Sequence, residues 1–321
     1  MERVRRRRRG GCGCALLLVL LALAVAAGVW CFPRGMAAWE SAQRRLRLRE
    51  ALAQAFESQP PQAGALLVVQ LETGEPLYAQ GAQDPLLPAS LAKLFVAGYA
   101  ASLAPLESRA TVTPQALALV PANSSLAYLA PGEYPLEDLL AAMLLPSGND
   151  AAYAVADWCG GLLDPGAAPG RERVDAFLEG LGEYLAAQGY GGTVLHDPSG
   201  FDYEAATTAG DLAAVSARLL QADWFRELVA LPTYTADTPG GPVAWQNTNR
   251  LLDPESPYYH PRAAGVKTGT LEGCCNLVAL YQSSQEAVLV CLLGAATDEV
   301  RYQEALRVFA ALDSALAPAS G

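Results

Sequence analysis

Ser90 and Lys93 stand three residues apart, and Lys93 is one of only two lysines in a chain whose other strong cations are all arginine. Arginine keeps its proton in any folded protein, whereas a buried lysine can lose its proton and become a base. A hydroxyl and a neutral amine one helical turn apart form a nucleophile–base pair: the amine takes the serine proton as the oxygen attacks an acyl carbon. The second lysine opens Lys267-Thr268-Gly269. A cation and a hydroxyl on a strand can hold a carboxylate, and a residue without Cβ lets an extended peptide approach the backbone. Between the two lysines, Ser147-Gly148-Asn149 puts a hydroxyl and an amide in a tight loop, where they can relay a proton and hold a substrate amide. Taken singly, each motif has a plain structural reading. The first arises by chance, the second is an ordinary helix stop and N-cap, and the third is a strand end. The three in this order are far more specific than any one.

Rigid elements must position these groups. Pro88 leads into an apolar stretch, Ser90 to about Ser102, that reads as a helix, so Ser90 lies where a helix N-terminus favours developing negative charge. Leu136 to Leu145 reads as a helix stopped at Pro146, followed by a second helix from Asp150 to about Trp158. Glu172 to Gln188 and Thr208 to Leu220 carry further helical patterns. Ala65 to Leu71 and Glu75 to Gln80 form a hairpin through Thr73-Gly74. Gly265 to Thr270, Asn276 to Tyr281 and Ala287 to Leu293 read as three strands, the last two joined through Ser283-Ser284, and a final helix runs from about Asp298 to Leu316. Strands at both ends with helices between them predict an α+β fold: an antiparallel sheet assembled from the two ends of the domain, with a helical insertion.

The triplet S-x-x-K, S-x-N, K-T-G is that of penicillin-recognising enzymes. The chain resembles the D-alanyl-D-alanine carboxypeptidases, the low-molecular-mass penicillin-binding proteins, from about residue 63 to 316. The resemblance extends through Leu87 to Lys93, Tyr128 to Glu133, Leu144 to Ala152, Asp197 to Asp202 with Thr207-Thr208-Ala209, Asn247 to Leu252, and Gly265 to Gly269. It implies a penicillin-binding/β-lactamase-like fold and no cofactor or metal. It also implies roles. Ser90 attacks the peptide carbonyl between two D-alanines of a peptidoglycan stem peptide, Lys93 is the acylation base, and Ser147 passes the proton toward the leaving amine. Asn149 orients substrate and Lys93, and Lys267 and Thr268 engage the terminal carboxylate beside Gly269. The backbone N–H groups of Ser90 and Thr270 form the oxyanion hole, and Arg301 matches an arginine near the carboxylate site. β-Lactams would act as covalent inhibitors. Two features depart from the family pattern. The loop Thr270 to Asn276 is one residue short and carries adjacent Cys274 and Cys275, and His196-Asp197 stands where Asn often precedes Pro.

Two other readings share the triplet. A serine β-lactamase needs a glutamate to activate the deacylating water, and no E-x-x-x-N signature lies between the second and third motifs. A non-catalytic sensor or wall-binding domain would keep the fold without needing both lysines.

Charge divides the chain. Residues 1–50 hold 11 arginines and 3 glutamates, about +8, while the remainder is about −19. A body so acidic repels nucleic acid. Arg5 to Arg9 precede an uncharged run from Cys12 to Phe32, long enough to cross a bilayer with the arginines on the cytoplasmic side. A cleaved signal peptide ending near Ala24-Val25-Ala26 is the alternative; both readings put the body outside the cytoplasm. The expected organisation is a basic cytoplasmic tail (1–11), a transmembrane anchor (12–32), a juxtamembrane helix and linker (33–62) and the catalytic domain (63–321). Arg44, Arg45, Arg47 and Arg49 make the juxtamembrane helix a lipid-facing or solvated spacer. Many members of the family carry a further β-rich domain and a C-terminal amphipathic anchor; here the N-terminal segment is expected to serve as the anchor. Cys159, Cys274, Cys275 and Cys291 fit small buried thiols better than a disulfide framework.

Overall fold

A computed structural model describes residue 36 and residues 39–317. The basic tail and the apolar run 12–32 lie outside the described residues. Among the described residues, no helix is long and apolar enough to cross a membrane. The described residues open with helix α1 (residues 39–57), then β1 (Ala65–Gln70) and β2 (Pro76–Gln80). A 3₁₀ turn (Ala89–Leu91) runs directly into α2 (Ala92–Leu103), followed by β3 (Arg109–Val112), α3 (Pro114–Leu117) and β4 (Gly132–Pro135). Helices α4 (Leu136–Leu144), α5 (Asn149–Leu163), α6 (Arg171–Gln188), α7 (Ala209–Leu219) and α8 (Asp223–Ala230) precede a hairpin of β5 (Thr233–Thr238) and β6 (Gly241–Gln246). Strands β7 (Ala263–Leu271), β8 (Cys274–Gln282) and β9 (Ala287–Ala295) and helix α9 (Asp298–Leu316) complete the described chain.

Both ends of this chain build one antiparallel sheet, in the order β2-β1-β9-β8-β7. β1, β8 and β9 are apolar along nearly their whole length because both of their faces are covered. Leu67, Val69, Val278, Leu280, Leu289 and Cys291 point into a core shared with α2 and α4 to α7. Leu66, Val68, Leu277, Ala279, Val288 and Val290 point to the other side, against α1 and α9. β7 is an outer strand, so alternate backbone groups along it face away from β8 and are available to an extended ligand.

Helix α1, expected as a spacer, packs on this second face. Leu48, Leu52 and Phe56 recur every four residues on one side of the helix and are buried. Burying such side chains stabilises by about 1.5–3 kcal/mol each. Its arginines turn to the body: Arg44 pairs with Glu286 at 3.1 Å, Arg45 with Glu75 at 3.2 Å, and Arg49 donates to the Pro76 carbonyl at 3.0 Å. The Arg45–Glu75 pair is partly exposed, and such pairs contribute about 0–1 kcal/mol; the apolar stripe holds the helix, and the arginines, with Arg44 reaching the buried Glu286, align it. The stripe expected to face lipid or solvent is largely engaged by the domain.

Other boundaries differ from expectation. α5 begins at Asn149 and continues to Leu163, which places Asn149 in a first helical turn and not in a loop. α8 and the β5–β6 hairpin have no counterpart in the sequence reading. Cys159, Cys274, Cys275 and Cys291 are free and buried.

Candidate active site

The site is assembled where three elements meet: the turn entering α2, the loop between α4 and α5, and strand β7. Ser90 lies in the 3₁₀ turn and Lys93 one turn on, in α2. The Lys93 Nζ donates to Ser90 Oγ at 2.8 Å, to Asn149 Oδ1 at 2.8 Å and to the Ser199 carbonyl at 2.8 Å. An ammonium has three donors, and all three are used here. Lys93 is fully buried. Burial pushes its pKa down to about 7, against the opposing pull of the Asp197 and Asp150 carboxylates. A substantial neutral fraction at physiological pH makes this amine competent as a base toward the hydroxyl beside it.

The chain around Ser90 is held by backbone packing. Ala89, just before the nucleophile, sits at φ 48°, in the left-handed region that side chains avoid. Gly200, at φ 75°, passes so close that a Cβ there would lie 2.0 Å from the Ala89 carbonyl oxygen. A glycine is therefore required where the 197–200 loop delivers the Ser199 carbonyl to Lys93. Asp197 shapes that loop by accepting from the Ser199 and Asp202 N–H groups at 2.7 and 2.9 Å. His196 pairs with Asp202 at 2.9 Å on the surface of the same loop and takes no part in the cluster.

Ser147 is also left-handed, at φ 64°. Its Oγ is buried and has no hydrogen-bond partner among the described residues. A buried hydroxyl normally finds a partner, and a strained backbone is a recurring mark of functional loops. The loop is pinned by Asp150, whose carboxylate accepts from the Ala127, Leu129 and Ala151 N–H groups at 2.8, 3.0 and 3.0 Å. Asn149 N–H in turn donates to the Ser125 carbonyl at 2.8 Å.

Lys267 is buried on β7, and its only hydrogen bond among the described residues goes to the Thr268 carbonyl at 3.0 Å. Burial lowers its pKa well below the ordinary lysine value, and the neighbouring cations Lys93 and Arg301 lower it further. Thr268 Oγ1 lies 2.6 Å from Thr248 Oγ1. The Thr248 N–H donates to the Leu145 carbonyl at 3.0 Å, which ties β7 to the end of α4. Gly269 faces the nucleophile turn; a Cβ there would lie 2.9 Å from the Pro88 oxygen and 3.2 Å from the Leu91 nitrogen. Thr270 is exposed at the end of this run. Arg301 sits behind the strand, buried, with Nη1 donating to the Gly269 carbonyl, Thr270 Oγ1 and the Asn276 carbonyl, each at 3.0 Å, and Nη2 paired with Asp298.

Ser90, Lys93 and Asn149 thus form one hydrogen-bonded cluster, and the charge of Lys93 is felt at Lys267. Residues to which the sequence reading gave no role do the positioning: Asp150, Asp197, Thr248 and Asn276. Asp150, Thr248 and Asn276 act mainly on groups remote in sequence, whereas Asp197 closes a local turn on the Ser199 and Asp202 N–H groups; neither pattern shows as periodicity. Among the described residues, no group of His, Cys, Asp and Glu side chains is arranged to hold a metal ion.

The chain has recognisable relatives among known proteins. Residues 53–297 match the D-alanyl-D-alanine carboxypeptidase family. The chain is 28% identical over 262 residues to carboxypeptidase DacC of Escherichia coli (strain K12), covering 78% of this chain and 61% of that protein. It is 31% identical over 209 residues to a D-alanyl-D-alanine carboxypeptidase of Streptomyces sp. (strain K15), covering 62% of this chain and 68% of that protein. The chain thus spans about three fifths of the length of the E. coli relative. The crystal structure of the Streptomyces K15 DD-transpeptidase superposes with a TM-score of 0.69 at 25% identity, covering 79% of this chain and 98% of that one. The cefotaxime-bound penicillin-binding protein D2 of Listeria monocytogenes, at a TM-score of 0.63 and 24% identity over 78% of this chain and 97% of that one, shares the fold. With the ordered triplet, the lysine-centred cluster and a family match across most of the chain in agreement, this protein belongs to the D-alanyl-D-alanine carboxypeptidase family.

Proposed function

We propose that the chain is a serine-type D-Ala-D-Ala carboxypeptidase that trims the terminal D-alanine from peptidoglycan stem peptides and is acylated by β-lactams. The observation that carries this is the fully buried Lys93, with Nζ 2.8 Å from Ser90 Oγ and its pKa brought down to about 7. In the acylation step the Ser90 oxygen bonds to the penultimate carbonyl carbon as its proton moves to Lys93. The resulting oxyanion is received by the backbone N–H groups of Ser90 and Thr270. The C–N bond then breaks, and the leaving amine of D-alanine takes up a proton through Ser147, whose hydroxyl has no hydrogen-bond partner among the described residues. Water hydrolyses the Ser90 ester to complete the cycle. Lys267, with a single acceptor among the described residues, has donors left for the substrate carboxylate, beside Thr268. The serine β-lactamase reading is less well supported. Glu172 caps the Ala168 N–H at 2.8 Å at the start of α6, and the carboxylates around the cluster, Asp150 and Asp197, are committed to backbone N–H groups.

Incubating the purified protein with an acylated L-Lys-D-Ala-D-Ala peptide is expected to release one equivalent of D-alanine per peptide, with a penicillin blocking release through a long-lived adduct. No D-alanine release from a folded protein that nevertheless turns over penicillin would overturn the assignment in favour of a β-lactamase.

We also propose that residues 12–32 anchor the protein in the membrane with the catalytic body outside the cytoplasm. The uncharged run behind five consecutive arginines supports this. Sequencing the mature N-terminus is expected to recover the residues before the apolar run; a terminus near Ala27 would show a cleaved signal peptide instead.

A further inference from the structure

Asn276 is a fully buried amide on β8 with every hydrogen-bonding position filled. Its Nδ2 donates to the carbonyl oxygens of Leu87 at 2.8 Å and Pro88 at 3.0 Å, and its Oδ1 accepts from the Gly294 N–H at 2.8 Å and from the Cys274 thiol at 3.4 Å. Leu87 and Pro88 lead into the nucleophile turn, and the Pro88 carbonyl also receives the Leu91 N–H at 3.1 Å. The backbone of Asn276 is engaged as well. It pairs in register with Gly269 of β7, and its carbonyl accepts from Arg301, which also holds the Gly269 carbonyl and Thr270 Oγ1.

Seen from the chemistry, this residue joins two halves that the fold brings in separately. In the acyl-transfer reading, one oxyanion donor is the Ser90 N–H, on the turn before α2, and the other is the Thr270 N–H, on β7. In sequence, positions 90 and 270 lie 180 residues apart. We propose that Asn276 is a positioning residue that fixes the distance between these two donors: its side chain holds the strand of chain entering Ser90, and its backbone, through β-pairing and Arg301, holds Gly269 and Thr270. Gly269 sets the closest approach, since a Cβ there would lie 2.9 Å from the Pro88 oxygen. Asn276 supplies the attraction that keeps the halves at that limit. The role rests on the acyl-transfer reading. It differs from ordinary stapling because the groups it joins carry the reaction's developing charge and not the ground state.

The test uses the full chain with Asn276→Ala and the isosteric Asn276→Asp, which keeps the acceptor toward Gly294 and loses the donors to Leu87 and Pro88. A fluorescent penicillin gives the acylation rate constant separately from the dissociation constant of the pre-acylation complex. A D-alanine-derived boronic acid, which forms a tetrahedral adduct on the serine, reports the oxyanion geometry directly. A misplacement on the order of 1 Å costs about 10²-fold, so both variants are expected to acylate about 10²-fold more slowly and to lose boronate affinity by a similar factor. Pre-acylation binding should change by less than about threefold, the pattern of an interaction realised in the transition state. Thermal melts identify which variant is folded at the assay temperature, and the aspartate variant serves if the alanine variant melts below it. A folded variant with parental acylation rate or parental boronate affinity would overturn the proposal, as would a loss that falls equally on pre-acylation binding. If the unmodified protein itself fails to acylate at Ser90, the acyl-transfer reading falls instead.

Discussion

Ser90→Ala is expected to abolish covalent labelling by a fluorescent penicillin and to lower D-alanine release by at least about 10³-fold, the scale on which nucleophile removal acts in acyl-transfer enzymes. The prediction is sharp because the change deletes one oxygen and little else. Lys93 keeps its bonds to Asn149 Oδ1 and the Ser199 carbonyl, and the turn is held from outside by the Asn276 bonds to Leu87 and Pro88. The melting curve should therefore stay close to that of the parent. Mass spectrometry of the intact protein after incubation with penicillin decides the matter: an adduct of penicillin mass on Ser90→Ala would place the nucleophile elsewhere.

The two lysines should fail differently when each is replaced by arginine. At position 93 the replacement fills a buried, fully satisfied site with a cation that has no lone pair to offer, and acylation should fall by about 10²-fold or more, the usual scale of general-base loss. At position 267 the cation is retained. The acceptor there, among the described residues, is a backbone carbonyl, so a guanidinium can still face a carboxylate, and the loss should be smaller and fall partly on KM. Equal losses would show that Lys267 also moves protons, through Ser147. The pH dependence follows from the same burial. The folded chain releases the Lys93 proton near pH 7, while the unfolded chain keeps it into the ordinary lysine range. Acylation should therefore rise with pH through about 7 in the parent, and Lys93→Arg should lack that limb. In the interval above 7 the unfolded state binds more protons than the folded one, so this group makes stability increase with pH there. Stopped-flow acylation across pH, with circular dichroism on each variant, tests both signs.

Much of this was legible in the residues themselves. Apolar runs such as those of β8 and β9, and the long helical pattern of α9, give strong signals because both faces of the sheet are covered. The three motifs announce themselves by residue type and order. What escaped has physical reasons. β5 and β6 alternate between half-buried and exposed residues, with only Trp245 deeply buried, so the hairpin lacks the apolar contrast of a core strand. α8 is eight residues long, though Phe225, Leu228 and Val229 at helical spacing were a usable signal. The arginine stripe of α1 looked like a face turned to lipid or solvent because its partners, Glu75 and Glu286, are remote in sequence and nothing local marks them as complementary. Asp150 and Asn276 were hidden for a related reason. Their partners are backbone amides and carbonyls, which carry no residue code.

The economy of lysine has an experimental side. Because Lys93 and Lys267 are the only lysines in the chain and both are buried within the cleft, the folded domain shows no lysine ammonium to solvent. Isotopic enrichment of lysine alone would yield a spectrum of two side chains, both reporting from the cleft with no surface background. Amine-directed reagents would likewise find these two side chains only when the domain opens. Here the label and the chemistry coincide.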